Sequence, residues 1–165
     1  MINRLLMRIA DRRPGRIVKD DGAPYLERYF LFRAFGVTAY LHRFVASDPD
    51  RGLHDHPWRA AMTVILSGRG YTEETRYGSA KRRWFGVFGG QHFHRVILHD
   101  GPVWTLFVHT SARIKAWGFL RWAGWEKAPD GSNRDVMQFK AHYPSTDDQW
   151  WRSAPLGTHL EGRMP

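Results

Sequence analysis

The sequence predicts an all-β fold, a sandwich or barrel of short strands, and three observations support this class. Short runs rich in β-branched and aromatic residues recur through most of the chain. Glycine, proline, aspartate or serine separates these runs. No long stretch of helical periodicity interrupts them, so alternating βαβ units around a parallel sheet are not expected.

A short helix is predicted before the first strand. The stretch NRLLMRIAD fits one or two amphipathic turns with Leu5, Leu6 and Ile9 on one side, and a Pro-Gly pair ends it. The predicted strands then follow in order as RIVKD, PYLERYFLFRAF, GVTAYLHRFVA, AAMTVILSG, GYTEETRYG, KRRWFGVF, HRVILH, VWTLFVHT and WGFLRW. We assign the β domain, with this N-terminal extension, to residues 1–127.

Residues 128–165 differ in composition from the rest of the chain, because they are polar and rich in turn-forming residues. We expect an irregular C-terminal tail here with two short helices. The first is RDVMQFKAH, and the second is STDDQWWR with Ser145 or Thr146 as its cap. Such a tail would wrap the barrel, cover its mouth or stay partly disordered.

The amino-acid composition limits the kinds of metal site and partner that this chain can have. The chain has no cysteine, which excludes disulfides, thiolate metal sites and cysteine nucleophiles, so a metal must be held by His, Asp, Glu or water. The net charge is +9, from 25 Lys and Arg against 16 Asp and Glu, which suits an anionic partner or a solvated basic surface. No signal peptide or membrane-spanning apolar run is visible, so we expect a soluble cytoplasmic protein without membrane contact.

Two pairs of histidines point to a metal centre. His54 and His56 are two residues apart, so on an extended strand both side chains face the same way. His92 and His94 form a second such pair at the start of another strand. Two strands that bring imidazoles to one interior face can provide the metal–nitrogen distances of about 2.0–2.1 Å that zinc requires. Neutral imidazole also suits Fe, Cu and Ni.

The order of histidines, apolar strands and glycine turns resembles the two motifs of the cupin double-stranded β-helix, a jelly-roll barrel. The resemblance covers residues 36–110. Residues matching the first motif are Gly52, His54, His56 and Gly68 or Gly70, and those matching the second are Gly89 or Gly90 with His94. Within the superfamily, the segments LHDHPW, HRV and WTLF…WGF resemble those of a group of bacterial and phage cupin-like proteins.

The chain departs from the cupin pattern at two points. Ala60 and Ala61 stand where cupins usually carry a glutamate ligand, and the proline of the second motif is absent. Cupins that lack this glutamate and hold iron with three histidines include the thiol dioxygenases. The resemblance therefore implies a divalent ion at His54, His56 and His94, Fe(II) first, with Zn, Ni or Mn as alternatives.

Several residues are assigned roles around this centre. His92 is expected to act as a fourth ligand or to handle protons, or else to face solvent just before the strand. Glu73 is expected to replace the missing carboxylate or act as a base. The alternative for Glu73 is a salt bridge to Arg76, Arg82 or Arg83. Surface positions are expected for Asp55, His99 and His109. The arginines of the site segments, which would either clamp an anion or lie outside, are Arg43, Arg51, Arg59 and Arg95.

The leading hypothesis is a mononuclear non-haem Fe(II) enzyme, dioxygenase-like, that acts on a small molecule, either neutral or anionic. One alternative is a Zn, Mn or Ni cupin that isomerises or hydrolyses an anionic substrate. Another is a metal- or ligand-binding module without catalysis, with a basic surface. Nucleic acid is a less favoured partner, since no reading motif is visible. A homodimer is also expected, because many cupins dimerise.

Overall fold

The computed structural model describes residues 1–143 and 149–164, most of which belong to two six-stranded antiparallel sheets. One helix, α1, precedes the sheets at Ile2–Asp11. The strands are β1 Gly15–Asp20, β2 Ala23–Ala34, β3 Val37–Phe44, β4 Leu53–His54, β5 Ala60–Ser67, β6 Tyr71–Thr75, β7 Gly78–Arg82, β8 Phe85–Gly89, β9 His94–Ile97, β10 Val103–Thr110, β11 Gly118–Lys127 and β12 Asn133–Ala141. Two single-turn 3-10 helices follow at Trp150–Arg152 and Gly157–His159.

The strand order places the predicted ligands on neighbouring strands. One sheet has the order β1-β2-β3-β10-β5-β8, and the other has the order β12-β11-β4-β9-β6-β7. His54 ends β4 and His94 begins β9, and the two residues pair directly across these strands. Because β6 lies on the other side of β9, it brings Glu73 next to the same place.

The first sheet packs on its inner face and on part of its outer face, whereas outward side chains of β5 and β8 such as Met62 and Val87 are exposed. On the outer face, Leu6 and Ala10 of α1 pack against Tyr29, Leu41 and Trp104. On the inner face a second cluster faces the other sheet, and its buried members are Tyr40, Ala61, Phe88, Phe107 and Trp150. The second cluster forms one wall of the interior in which the histidines lie.

The predicted N-terminal helix is confirmed, although its buried face is shifted by one position. Leu6 is buried and Ile9 packs against the same cluster, while Leu5 is exposed to solvent. Among the described parts of the chain, no helix combines the length and the apolar character needed to cross a membrane.

The helical prediction for RDVMQFKAH is wrong, because this segment belongs to β12. That strand pairs antiparallel with β11 along its whole length, from Gly118 opposite Ala141 to Lys127 opposite Asn133. Hydrogen bonding to the unpaired edge of β11 outweighs the weak local helical preference of this segment. In the second predicted helix, Ser145 and Thr146 lie outside the described residues, and Trp150–Arg152 forms one 3-10 turn.

Candidate metal centre

The three predicted ligands, His54, His56 and His94, converge in the interior between the sheets. Their ligand nitrogens all lie within 4.8 Å of one another. Nε2 of His56 is 3.0 Å from Nε2 of His94, and the ring centroids of His54 and His94 are 4.8 Å apart. His54 and His56 come from the end of β4 and the residues after it, so the two-residue spacing survives even though the strand itself is short.

This donor set fits a divalent first-row metal ion. With bonds of about 2.1 Å, two nitrogens at right angles around one ion are separated by about 3.0 Å, which matches the His56–His94 separation of 3.0 Å. Three imidazoles without a thiolate are suited to Fe, Zn, Ni or Cu. The residues present can therefore hold such an ion and leave further coordination positions open.

Glu73 lies behind His94. Its Oε1 accepts a hydrogen bond from Nδ1 of His94 at 2.7 Å, while Nε2 of His94 points toward His56. Oε2 accepts from Nε of Arg82 at 2.7 Å. The sequence offered an inward-facing Glu73 and a Glu73–Arg82 salt bridge as alternatives, but in the structure both occur together. Glu73 therefore contacts the metal centre through its hydrogen bond with His94. Its carboxylate is not grouped with the ligand nitrogens of His54 and His56.

His92 also donates to Glu73, with Nε2 at 2.8 Å from Oε1. Glu73, His92 and His94 thus form a second group of close ligand atoms that shares only His94 with the first. The His92 side chain is 32% exposed, so it connects the buried carboxylate to solvent. The structure does not bring His92 together with His54 and His56.

The electrostatics of this region favour neutral imidazoles at His54 and His56 and a charged carboxylate at Glu73. Burial lowers the pKa of His54 and His56 well below the usual value, and neighbouring imidazoles and the charge of Arg28 add to this effect. Burial opposes ionisation of Glu73, but hydrogen bonds from His94, His92 and Arg82 outweigh it and hold its pKa below the usual range. His54 and His56 are therefore in the neutral protonation state that binds metal.

Two aspartates lie nearer to the centre than the sequence indicates. Asp55 was predicted at the surface, but it is fully buried, accepts the Gly118 amide at 2.8 Å and pairs with Lys115. The prediction fails because β11 and the segment before it cover the outer side of β4. Asp48 is also buried, with Oδ2 at 3.6 Å from Nδ1 of His54 and at 2.8 Å from the Val96 amide.

The histidines open into a cavity of about 540 Å³ with mainly aromatic walls. Trp58 lines it and stacks on His109 at 3.5 Å, so the expectation of a surface position for His109 is wrong, whereas His99 is exposed as expected. His142 and Trp150 also line the cavity, so residues of the predicted tail contribute to it.

The arginines named from the sequence divide between cavity and exterior. Arg51 lines the cavity and pairs with Asp20, whereas Arg43 and Arg95 are ion-paired with acidic residues and Arg59 is exposed. The cavity arginines Arg16, Arg28 and Arg113 were missed. The positions of Arg16 in β1 and Arg28 in β2 carry no motif, and only the alternation of these strands could have indicated them.

Comparison with known proteins identifies the fold. A cupin 2 conserved barrel domain protein from Rhodopseudomonas palustris is 14% identical over 72% of this chain and 80% of its own, with a TM-score of 0.52. A cupin-2 domain from Rhodospirillum rubrum is 16% identical over 65% of this chain and 74% of its own, with a TM-score of 0.51. At these identities the similarity shows the fold alone, and the predicted cupin fold is confirmed.

Other comparisons are more distant. Fe(II) HppE is 14% identical with a TM-score of 0.48, and the match covers 60% of this chain but only 57% of the length of HppE. No protein-family model matches the sequence. No curated protein matches it either.

Proposed function

Because the chain has the cupin fold, we propose that it is a metal-dependent cupin in which His54, His56 and His94 hold Fe(II) and that it oxidises a small molecule. The observation that carries the proposal is the 3.0 Å separation of the His56 and His94 Nε2 atoms inside a walled cavity. Fe(II) with three imidazole ligands supplies open positions for substrate and O₂ and the electrons that O₂ chemistry needs.

In this proposal Glu73 positions the His94 ring, and His92 transfers protons to and from Glu73. The Glu73 carboxylate holds the proton of His94 on Nδ1, which leaves Nε2 of His94 free to ligate. Half-exposed His92 donates to the same carboxylate oxygen and so offers a route for protons between solvent and Glu73. The aromatic walls, including Trp58, Phe88 and Phe107, keep bulk water away from the substrate.

Metal analysis of the protein purified without a histidine tag tests the site. We expect about one equivalent of metal in the wild-type protein and its loss in the His54→Ala and His94→Ala variants. The control is His99→Ala, because His99 is an exposed histidine that hydrogen-bonds only Thr72 among the described residues. Equal metal content in the His99→Ala and His54→Ala proteins would contradict the assignment.

Oxygen uptake by the Fe(II)-loaded protein tests the reaction. We expect uptake with at least one of three substrate groups, namely small thiols, diketones and aromatic diols. No uptake with any of them, with iron bound, would argue against oxygenase chemistry. The cavity arginines would then favour the second candidate, Lewis-acid isomerisation or hydrolysis of an anionic substrate with Zn, Mn or Ni.

A further inference from the structure

Arg28 presents its guanidinium to the cavity beside a histidine rather than an acid. Its Nε donates to Nε2 of His42 at 2.9 Å, and its guanidinium carbon is 5.4 Å from the centre of the Tyr40 ring. Within residues 1–143 and 149–164, His42 is the one hydrogen-bond acceptor for Arg28, and no carboxylate forms an ion pair with it. Both terminal nitrogens of Arg28 are therefore available to a ligand.

The neighbouring pair, Glu27 and Arg43, provides a comparison, because it holds a buried arginine on the opposite face of the same two strands. Arg28 lies opposite His42 in the β2–β3 register, and Glu27 lies opposite Arg43. On the outer face Arg43 pairs with the fully buried Glu27 at 3.2 Å. On the cavity face the corresponding partner of Arg28 is a neutral imidazole, which orients the guanidinium but does not neutralise it.

A second guanidinium adds to the positive potential of the cavity. Arg16 on β1 lines the same space, with its guanidinium carbon 4.5 Å from the centre of the Trp150 ring. Burial lowers the pKa of Arg28, and burial followed by the charge of Arg28 lowers the pKa of Arg16 to about 9. A bound anion would relieve the cost of placing the Arg28 cation among aromatic walls.

We propose that the cavity binds a small carboxylic acid with an apolar, ring-sized body, whose carboxylate pairs with the terminal nitrogens of Arg28. A planar guanidinium fork matches the two coplanar oxygens of a carboxylate. The apolar body packs on the aromatic walls, within reach of His54, His56 and His94, which line the same cavity. A volume of about 540 Å³ is suited to a molecule of this size. The proposal rests on the proposed function in treating this ligand as the substrate.

Calorimetric titration of the full-length protein, as purified and after treatment with EDTA, tests the binding. The probes are phenylacetate, its neutral isostere phenylacetamide, and inorganic phosphate. We expect phenylacetate to bind about tenfold or more tightly than phenylacetamide, as a charge-assisted pair requires, and to bind more tightly than phosphate. Equal affinity for phenylacetate and phenylacetamide, or tighter binding of phosphate, would overturn the proposal.

Variants assign the effect to Arg28. Arg28→Gln should abolish the preference for phenylacetate, whereas Arg33→Gln, at an exposed arginine of the same strand, should retain it. Arg28→Lys keeps the charge but removes the fork, so it should lose most of the preference, and it decides the matter if Arg28→Gln does not fold. Undiminished preference in Arg28→Lys and Arg28→Gln would overturn the proposal.

Metal content measured on the same samples separates this inference from the proposed function. Arg28→Gln should keep the metal content of the wild-type protein. If wild-type protein binds no metal but still prefers phenylacetate in an Arg28-dependent manner, the metal function fails and the carboxylate site stands. If metal binds at the histidines and the preference is absent, the metal function stands and the carboxylate site fails.

Discussion

A single carboxylate, Glu73, receives hydrogen bonds from two histidines and one arginine. Its charge fixes the proton of His94 on Nδ1 and so fixes which nitrogen faces the cavity. The position of Glu73 within β6 follows from strand alternation, since Tyr71 and Glu73 are both buried while Thr72 and Glu74 are not.

Glu73→Gln should therefore weaken metal binding without unfolding the protein. The amide still accepts a hydrogen bond but lacks the charge that orients His94, and we expect affinity to fall by about 10- to 100-fold. A competition titration against a chromophoric chelator measures this. Glu74→Gln is the matched control, because Glu74 pairs with Arg95 on the opposite face. An equal loss in both variants would contradict the role of Glu73.

His109 should make the protein less stable in acid. Burial lowers its pKa from 6.5 to about 4, so the folded protein keeps it neutral where the unfolded chain takes up a proton. The unfolding free energy is unaffected by His109 above its ordinary pKa and falls as pH decreases from 6.5 toward 4. The expected loss from this residue is about 2 kcal/mol between pH 7 and pH 5.

Urea unfolding of metal-free wild-type and His109→Phe proteins at pH 7 and pH 5 checks this expectation. The variant keeps a ring against Trp58 but cannot titrate. Its loss of stability between the two pH values should be smaller than that of the wild-type protein. Parallel pH dependence in the two proteins would show that His109 does not contribute.

The metal centre depends on how β4 lies between its neighbouring strands β11 and β9. Gly52 precedes this strand with a φ of +97°, and an added Cβ there would lie 2.5 Å from the Leu120 carbonyl oxygen of β11. Only glycine fits such a left-handed conformation at this close approach. The backbone at Gly52 thus sets the place where His54 enters the interior.

Gly52→Ala should disturb both stability and metal binding. The strained backbone costs about 1–3 kcal/mol, and the clash with β11 also displaces His54. Gly22→Ala separates the two effects, because Gly22 has a φ of +82° but no atom within 4 Å of an added Cβ. We expect both variants to unfold at lower temperature and Gly52→Ala alone to lose metal affinity, as measured by thermal denaturation and chelator competition.

Alternation and spacing predicted much of this arrangement, but not all of it. The convergence of His54, His56 and His94 followed from two-residue spacing on strands that meet. Arg28 was missed because its position in β2 carries no motif, and its place on the cavity face becomes evident only from its pairing with His42 on β3. The strand at 133–141 was missed because its partner β11, and not its own sequence, determines its conformation.

Residues 163–164, near the C-terminus, join a buried ionic cluster around Glu27 and so connect distant parts of the chain. The Met164 amide donates to Glu27 at 2.9 Å, and Arg163 lies 3.8 Å from the same carboxylate and bonds Asp11 of α1. Glu27 is fully buried on the outer face of the first sheet. The C-terminal segment therefore links the helix to the sheet through Arg163, which lies between Asp11 and the buried Glu27.

Arg163→Ala should destabilise the protein by about 2 kcal/mol, because it removes a cation from beside a buried carboxylate. The control is Arg134→Ala, which breaks an exposed pair with Glu126 and should change stability by no more than about 0.5 kcal/mol. Chemical denaturation of both variants measures the difference. Similar effects of the two substitutions would contradict the importance of the cluster.

The shortness of β4 has a consequence for how the protein moves. This strand is two residues long and makes one residue pair with β9, so it can open while longer strands such as β10 stay paired. An ion gripped by His54 and His56 would suppress that opening. Amides between Leu53 and Trp58 should then exchange with deuterium more slowly once metal is added, while those of β10 keep their rates. Slower exchange of these amides would thus report that a metal ion occupies the centre.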